Sequence, residues 1–170
     1  MKILSKVDKQ AQFTKLFDTH YSKVFNLCKG YFNGNDALAS DSAQEVFIKI
    51  WESLDSFRGE STFSTWIYRI SVNTCLLYLR KQSTKKEKPT TIFPSIAAEQ
   101  YSLEEEEKLQ KMYGCIQKLE EKDKMLTLMM LEGVDYQEIS EVVGITEETL
   151  RVRIHRIKKN LTKCVQHGNI

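Results

Sequence analysis

The chain has 170 residues, enough for one domain or two small ones, and 41% of them are hydrophobic, which suffices for packed cores. Seven glycines and two prolines are few, and alternating strand patterns are scarce, so we expect an all-α protein. The formal net charge of +2 excludes a general polycation, but the basic residues cluster locally, which indicates separate surfaces for separate partners.

No pattern in the chain indicates a metal, a cofactor or a membrane span. The four cysteines lie 40 to 49 residues apart, without metal-ligand or redox spacing, so we expect reduced thiols in a cytoplasmic protein. Three scattered histidines predict no metal site. Neither a signal peptide nor a long apolar run is present, so we expect no membrane insertion.

Residues 1–81 predict one helical block. Apolar residues recur at helical intervals from Phe13 onward, which predicts a helix to near Phe32, and Asn33-Gly34-Asn35 breaks it. A second helix is predicted over about residues 36–54. Its outward face should carry Asp41, Glu45, Ile48, Lys49 and Glu52. Its buried stripe should be Ala39, Ala43, Phe47, Ile50 and Leu54.

A third helix follows a loop over residues 57–61, with Ser61 or Thr62 as its cap, and is predicted to end near Lys81. It is apolar on two sides, so it is either buried centrally or meets a partner. Its core stripe should be Phe63, Trp66, Ile67, Ile70, Thr74 and Leu77. Its opposite side holds Thr65, Tyr68, Arg69, Val72, Leu76 and Leu79. Aromatic rings beside arginines are what unstacked nucleic-acid bases need, and a plain core helix is the alternative.

Residues 82–102 are polar, cationic and marked by two prolines, which predicts a flexible linker. A second helical block starts with a helix at about Leu103, and another helix carries the apolar run from Met125 to Leu131. Gly133 should end that helix and lead the chain into the last motif.

That last motif, residues 135–170, predicts a helix-turn-helix, in which two helices are joined by a tight turn. Asp135 followed three places on by Glu138 is a capping box at the start of the first helix. Gly144 supplies the left-handed residue that ends this helix, and Thr146 caps the next one.

The helix after Thr146 has a narrow apolar stripe and a cationic opposite face. The stripe is Leu150, Ile154, Ile157 and Leu161. We expect the opposite face to enter a major groove, which is about 12 Å wide, with Glu148 or Arg156 meeting base edges. The outward Val152 indicates contact with a thymine methyl. A solvated cationic face is the alternative, but the doubled capping pattern around Gly144 favours DNA.

Two parts of the chain resemble bacterial RNA polymerase sigma factors of the extracytoplasmic-function (ECF) type. The first comprises DSAQEVFIKIW at residues 41–51 and FRGESTFSTWIYRISVNT at residues 57–74. The second is GVDYQEISEVVGITEETLRVRIHR at residues 133–156. The resemblance runs from about Phe13 to Lys163. It implies two small helical domains, residues 1–81 and 103–170, joined by the linker at residues 82–102.

The resemblance implies a sigma factor that binds core RNA polymerase and directs promoter recognition, DNA melting and transcription initiation. The surface for the clamp coiled coil of the largest polymerase subunit would be Asp41, Gln44, Glu45, Ile48 and Lys49. The surface for the −10 element would be Phe57, Arg58, Gly59, Ser61, Phe63, Trp66, Tyr68, Arg69 and Asn73. The surface for the −35 element would be Glu148, Thr149, Arg151, Val152, Arg153, His155, Arg156 and Lys159.

The partners implied by the resemblance are core polymerase (clamp coiled coil and flap region), promoter DNA and an anti-sigma factor. We expect Val72, Leu76 and Leu79 to be exposed for an anti-sigma or core contact. The chain departs from the family at Leu119-Glu-Glu-Lys-Asp-Lys, where relatives often have a proline, and at Val152, where a small polar residue is common. The acidic pair Glu147-Glu148 is also unusual, which leaves the −35 sequence open.

Two other classes of function compete with this interpretation. A one-component helix-turn-helix regulator would dimerise on a palindrome without polymerase, and it would have no role for the acidic helix over residues 36–54. A small helical enzyme would need paired carboxylates, a nucleophile with a base, or a glycine-rich phosphate loop, and the sequence has none of these patterns. We therefore expect neither catalysis nor a cofactor.

Overall fold

The computed structural model describes residues 6–84 and 103–167, and every regular element in these two stretches is helical. The helices are α1 (Lys6–Tyr31), α2 (Asp36–Ser53), α3 (Phe63–Thr84), α4 (Leu103–Gln117), α5 (Glu121–Leu131), α6 (Tyr136–Val143) and α7 (Glu147–His167). A 3₁₀ turn, Leu54–Ser56, follows α2. The predicted all-α class is confirmed. None of the described helices has the length and apolar character needed to span a membrane.

Side-chain caps begin α2, α3 and α6, and those of α3 and α6 lie where the sequence predicts them. The Asn35 side chain accepts a hydrogen bond from the Leu38 amide, at 3.0 Å. Thr62 Oγ1 accepts one from the Thr65 amide at 3.1 Å, and Asp135 Oδ1 accepts one from the Glu138 amide at 2.8 Å. Each of these bonds pairs an amide that the first turn of a helix would otherwise leave unsatisfied.

The ends of α6 and α3 can be compared with the predicted turn and the predicted linker. The last α6 residue is followed by Gly144, whose φ of 74° is the left-handed conformation that ends a helix. Helix α3 runs to Thr84, so the first three residues of the predicted linker are helical. The rest of that linker, residues 85–102, lies outside the described residues.

Helices α1, α2 and α3 pack together as the first block, and α2 buries the stripe predicted for it. The buried α2 stripe and its continuation are Ala39, Ala43, Phe47, Ile50 and Leu54. Aromatic rings from α1 cover this stripe, with the Phe17 and Phe47 ring centroids 4.8 Å apart. Such edge-on ring contacts stabilise the pair of helices beyond the area that they bury.

Helix α3 is buried on more sides than the sequence predicts. Its second buried side consists of Thr65, Tyr68 and Val72. The expectation that Val72, Leu76 and Leu79 are exposed is wrong, because Val72 is buried and the two leucines are half-buried. Leu77, which we expected in the core, is 49% exposed. The reason is that α3 packs against α1 and α2 on one side and against α6 on the other.

The second block, α4 to α7, packs on the first through α1 and α3. Gly30 of α1 makes this approach close: a Cβ atom there would lie 2.1 Å from Leu128 Cδ2 of α5. Beside it, Gln117 Nε2 of α4 donates to the carbonyl oxygens of Gly30 and Tyr31, at 2.7 and 3.3 Å. These carbonyls belong to the last turn of α1, where no intrahelical amide remains to pair with them.

The cysteines are paired in space, although their sequence spacing gave no sign of it. Cys115 of α4 and Cys164 of α7 form a disulfide, so the expectation of reduced thiols is wrong for this pair. Cys28 and Cys75 are free thiols, buried in the first block with their Sγ atoms 3.5 Å apart. The hydrogen bond with the Cys28 thiol, together with burial, raises the pKa of the Cys75 thiol.

We predict that two of the four cysteines escape thiol titration in the denatured, unreduced protein, and that all four react after reduction. Because the bond closes a 49-residue separation, reduction should lower the free energy of unfolding by up to about 4 kcal/mol. Chemical denaturation with and without dithiothreitol measures this difference. The Cys115→Ser/Cys164→Ser double variant should not respond to the reductant. Four reactive thiols before reduction would contradict the prediction.

Candidate nucleic-acid interface

Helix α7 presents the face predicted to read DNA. Its stripe residues Leu150, Ile154 and Ile157 are buried, and Val152 on the opposite side is 70% exposed. The other exposed members of that face are Glu148, Thr149, Arg151, His155, Arg156 and Lys159. An open depression of about 440 Å³ lies among Glu148, Thr149, Val152, Arg153 and Arg156. An exposed apolar side chain ringed by polar and cationic ones suits the edge of a base pair and its flanking phosphates.

One predicted DNA contact, Arg153, is not free. Its Nε donates to Asp123 Oδ1 of α5 at 2.5 Å, and both side chains are largely buried. Arg156 Nη2 lies 4.0 Å from the other oxygen of the same carboxylate, but the Arg156 side chain stays 67% exposed. Asp123 therefore ties α5 to the middle of α7 and withdraws one cation from the exposed face.

Arg151 lies between an acid and a ring. Its Nη2 is 3.3 Å from Glu147 Oε2, and its guanidinium carbon lies 4.8 Å from the centroid of the Tyr136 ring. The second contact is a cation–π interaction that joins α7 to the start of α6. Because the Arg151 side chain is 61% exposed, it remains available to a phosphate.

The loop after α2 brings three of the predicted −10 residues together. Phe57 stacks on Phe63, with centroids 4.2 Å apart, and its centroid is 5.0 Å from that of Trp66. Arg58 is well exposed and loosely paired with Glu60 at 3.8 Å, and the exposed Gly59 has a φ of 71°. The remaining member of the loop, Ser61, is half-buried. The result is a half-exposed group of stacked rings beside the long, exposed side chain of Arg58. Unstacked bases bind to such a combination of rings and positive charge.

Three other predicted −10 residues do not join this platform. Tyr68 is buried, which corrects the expectation of an open base-stacking ring at that position. Burial raises the pKa of its hydroxyl, and the negative charges of Glu132 and Glu138 raise it further. Arg69 donates through Nη2 to the backbone oxygen of Glu141 in α6, at 2.5 Å. Asn73 is exposed further along α3.

The outward face of α2 matches the surface predicted for the clamp. Asp41, Gln44 and Glu45 are exposed. Ile48, one turn further along the helix, is 52% exposed. Lys49 is half-buried, because its Nζ reaches Glu45 Oε1 at 3.3 Å and Thr74 Oγ1 of α3 at 3.2 Å. An apolar centre with a polar rim is the usual anatomy of a protein interface.

Sequence reasoning missed three side chains that act across helices. Asp123 holds Arg153, as described above. Glu138, expected to complete a capping box, accepts instead from Thr62 Oγ1 at 3.3 Å and Ser64 Oγ at 3.1 Å. Glu141 accepts from Thr65 Oγ1 at 3.2 Å. No signal in the sequence could have identified these pairs, because their members are 30 to 76 residues apart.

The same order of surfaces occurs in one known family. The Sigma-70 region 2 family matches residues 16–85, and the Sigma-70 region 4 family matches residues 109–161. The chain is 35% identical over 172 residues to the ECF RNA polymerase sigma-E factor of Escherichia coli strain K12, covering 92% of this chain and 88% of that protein. The chain belongs to the ECF family of RNA polymerase sigma factors. This sigma factor is equally similar, at 35% over 174 residues, to the sigma-E factor of Haemophilus influenzae, covering 94% of this chain and 89% of the relative.

Two solved structures share the fold of this sigma factor, each with a TM-score of 0.70 over 92% of the chain. One is CnrH in complex with the cytosolic domain of CnrY, at 18% identity and 89% of that chain. The other is the sigma factor RpoE in complex with the anti-sigma factor NepR from Bartonella quintana, at 19% identity and 98% of that chain. The protein is thus a transcription initiation factor and not a stand-alone regulator.

We predict that Asp123→Ala releases Arg153 to the DNA-reading face of the sigma factor. The variant should lose about 2 kcal/mol of unfolding free energy, since a hydrogen bond between buried charges is broken. Its binding to duplex DNA should tighten and depend more steeply on salt, by about one unit of log–log slope. Denaturant unfolding and fluorescence anisotropy across a salt series measure the two effects.

The matched control is Glu147→Ala, which frees Arg151 from an exposed pair on α7. That change should cost only a few tenths of a kcal/mol. Equal destabilisation by the two substitutions would contradict the special role of Asp123.

Proposed function

We propose that residues 1–81 bind core RNA polymerase and open the promoter, and that residues 103–170 bind the −35 element. Residues 82–102 would be the linker between these two domains. The observation that carries this proposal is the presence, in family order, of three exposed surfaces on one chain. These are the α2 face around Ile48, the aromatic loop at residues 57–63 and the outward face of α7.

The α2 face is proposed to dock on the clamp coiled coil of the largest polymerase subunit. Ile48 supplies an apolar anchor, while Asp41, Gln44 and Glu45 form a rim that favours a basic partner. Lys49 contributes to this interface mainly through its ion pair with Glu45, because its Nζ also donates a hydrogen bond to Thr74 of α3.

The −10 element is proposed to bind the loop and α3 as a single strand. Phe57, Phe63 and Trp66 offer ring faces to extruded bases, and Arg58 offers a charge to the backbone. Binding of extruded bases offsets an unstacking cost of a few kcal/mol per base, so the chain melts DNA without any catalytic group. Asn73 and Arg69 extend the same surface along α3.

The −35 element is proposed to take α7 in its major groove. Val152 and Glu148 face the base edges, while Arg151, Arg156 and Lys159 hold phosphates. Arg153 is held back from these contacts by its bond with Asp123. Binding of both modules to one polymerase surface raises their effective concentration, so contacts that are weak separately become selective together.

The polymerase supplies the catalysis in this proposal, and the sigma factor itself is not an enzyme. Its place of action is the cytoplasm, where the polymerase works. We also propose contacts of the second block with the flap region, and an anti-sigma partner. The support for that partner is that the relatives CnrH and RpoE were solved with the partner proteins CnrY and NepR.

The deciding experiment is run-off transcription by core polymerase on a library of randomised promoters, with and without this protein. We expect new start sites that share two sequence elements at a fixed spacing. An unchanged pattern of start sites would contradict the proposal. The same data define the promoter that later experiments use.

We predict that Glu45→Lys weakens binding to core polymerase by about tenfold, since the substitution reverses a charge at the rim of the α2 interface. Binding to isolated −35 duplex should stay the same. Gel filtration with core polymerase and anisotropy with the duplex measure the two. The control is Glu106→Lys, an equal charge reversal at an exposed site on α4. Parallel loss of both activities would indicate misfolding and count against the assignment.

We predict that Val152→Ser changes the preferred base at one position of the −35 element more than it changes overall affinity. Removal of an apolar contact with a thymine methyl should relax discrimination by about 1 kcal/mol. Selection of binding sites from a randomised duplex pool measures the preference. Val165→Ser, at an exposed position near the end of α7, is the control. An unaltered preference would reject the methyl contact.

A further inference from the structure

We propose that the disulfide between Cys115 and Cys164 is a redox switch that controls binding of the −35 element. The oxidised chain holds α4 against α7 and binds the duplex, and the reduced chain releases α4 and binds the duplex more weakly. This inference rests on the proposed function, because it takes α7 as the −35 reader. It adds a regulatory input, the thiol–disulfide balance of the cytoplasm, which acts on the second block.

The bond lies where noncovalent packing between α4 and α7 is thin. Among the described side chains of α4, only Cys115 and Ile116 are buried. In the last turns of α7, over residues 158–166, only Cys164 is buried, and Leu161 is partly buried. Burial of apolar area is what normally holds two helices together, and little of it is present here. The disulfide therefore makes a large part of the connection between the two helices.

A groove beside the bond shows the same thin packing. It has a volume of about 320 Å³, lies between α4, α5 and α7, and is lined in part by Ile116 and Val165, the sequence neighbours of the two cysteines. Val165 is 37% exposed, and Leu131 on the α5 side of the groove is 49% exposed. Apolar side chains that face an open groove lose the dispersion contacts of a close-packed interior. The side chains alone thus hold this end of the block weakly.

The second block is small enough for one covalent bond to decide its stability. Its described part spans residues 103–167, and one hydrophobic core in a domain of this size supplies only marginal stability. The bond closes a separation of 49 residues and removes entropy from the unfolded chain. For a separation of this length, that stabilisation is comparable to what the core supplies. Reduction should therefore change the fraction of the second block that is folded.

Helix α7 links this change to DNA binding, because its two halves are held by different neighbours. In the first half, Leu150 and Ile154 are buried, and Arg153 pairs with Asp123 of α5. The second half, which carries the proposed phosphate contact Lys159, depends on the disulfide. Short helical segments without packing are marginal in water, so release of α4 should let this half fray. A helix that is intact in only part of the molecules binds DNA with proportionally lower affinity.

The other two cysteines make a contrast with this pair. Cys28 and Cys75 have their Sγ atoms 3.5 Å apart, and both are fully buried in the core of the first block. The hydrogen bond between the thiols, together with burial, raises the pKa of Cys75, so little reactive thiolate forms there. Cys164, by contrast, lies in the last turn of α7 between exposed neighbours. Such a helix end opens readily and admits an attacking thiolate.

The switching step is thiol–disulfide exchange with glutathione. A glutathione thiolate attacks one sulfur of the bond, which forms a mixed disulfide and releases the other cysteine as a thiolate that takes up a proton. A second glutathione thiolate attacks the glutathione sulfur of the mixed disulfide. The products are glutathione disulfide and two cysteine thiols, so two electrons and two protons have passed to the protein. The reverse reaction closes the bond. Because the cytoplasm keeps most thiols reduced, an oxidising shift is the signal that turns −35 binding on.

The test uses the full-length chain in buffers with graded ratios of reduced to oxidised glutathione. Alkylation followed by mass spectrometry gives the closed fraction of the bond, and fluorescence anisotropy gives the affinity for the −35 duplex of the promoter defined by run-off. The reduced chain should bind about tenfold more weakly, as expected if roughly one-tenth of it is competent to bind. Across the series the affinity should follow the closed fraction, and reoxidation should restore it.

Two double variants separate the switch from general damage. Cys115→Ser/Cys164→Ser should bind the duplex like the reduced wild type at every glutathione ratio. Cys28→Ala/Cys75→Ala is the matched control, which keeps the disulfide and should respond like the wild type. Hydrogen exchange locates the change: on reduction of the wild type, the amides of α4 should lose protection, and those of α2 in the first block should keep theirs.

A bond that stays closed in a large excess of reduced glutathione would overturn the inference, because the disulfide would then be a permanent structural link. Equal −35 affinity of the oxidised and reduced wild type would also overturn it, as would a redox response in Cys115→Ser/Cys164→Ser. The proposed function has a separate test. It fails if core polymerase with the oxidised wild-type chain starts transcription at no new sites, and the redox dependence of hydrogen exchange in α4 can be measured even then.

Discussion

Helix α3 has apolar side chains around most of its circumference, and the rest of the structure is arranged to keep them from water. Helices α1 and α2 cover one side, where Ile67 is fully buried. Tyr68 and Val72 on the other side are buried as well, and α6 of the second block also packs against α3. Burial of large side chains such as these contributes about 1.5–3 kcal/mol each, so an uncovered α3 would seek a partner. That partner can be a nucleic acid or protein surface, or another part of the same chain.

Helix α7 follows the opposite logic. Its apolar stripe is narrow, with Leu150, Ile154 and Ile157 buried in the second block, and the remaining surface is mostly polar and cationic. The helix therefore needs no further cover and leaves its outward face free. Asp123 adjusts that face, since it pairs with Arg153 and lies within reach of Arg156. The two blocks thus differ in kind: α7 offers an open surface, whereas much of the α3 surface is buried.

Much of this could be predicted from sequence because it depends on residues within one or two turns. The caps at Asp135 and Thr62 and the left-handed Gly144 involve atoms no more than four residues apart. The buried stripe of α2 follows from helical periodicity alone, and so does the exposure of Ile48 and Val152. The resemblance to sigma factors depended on such local segments, and the match to regions 2 and 4 confirmed it.

What the sequence by itself determined was the set of helices, where they begin, and which side of α2 and α7 must be buried. Only the tertiary structure decided which helices meet: it joined Cys115 to Cys164, sent Glu138 to Ser64 instead of its own helix cap, and placed Leu128 against Gly30. The physical reason is one of range. Backbone hydrogen bonds and side-chain periodicity act over about four residues, so the local sequence encodes them. Contacts between helices depend on how whole surfaces pack together, and a residue carries no local mark of the partner that it will meet.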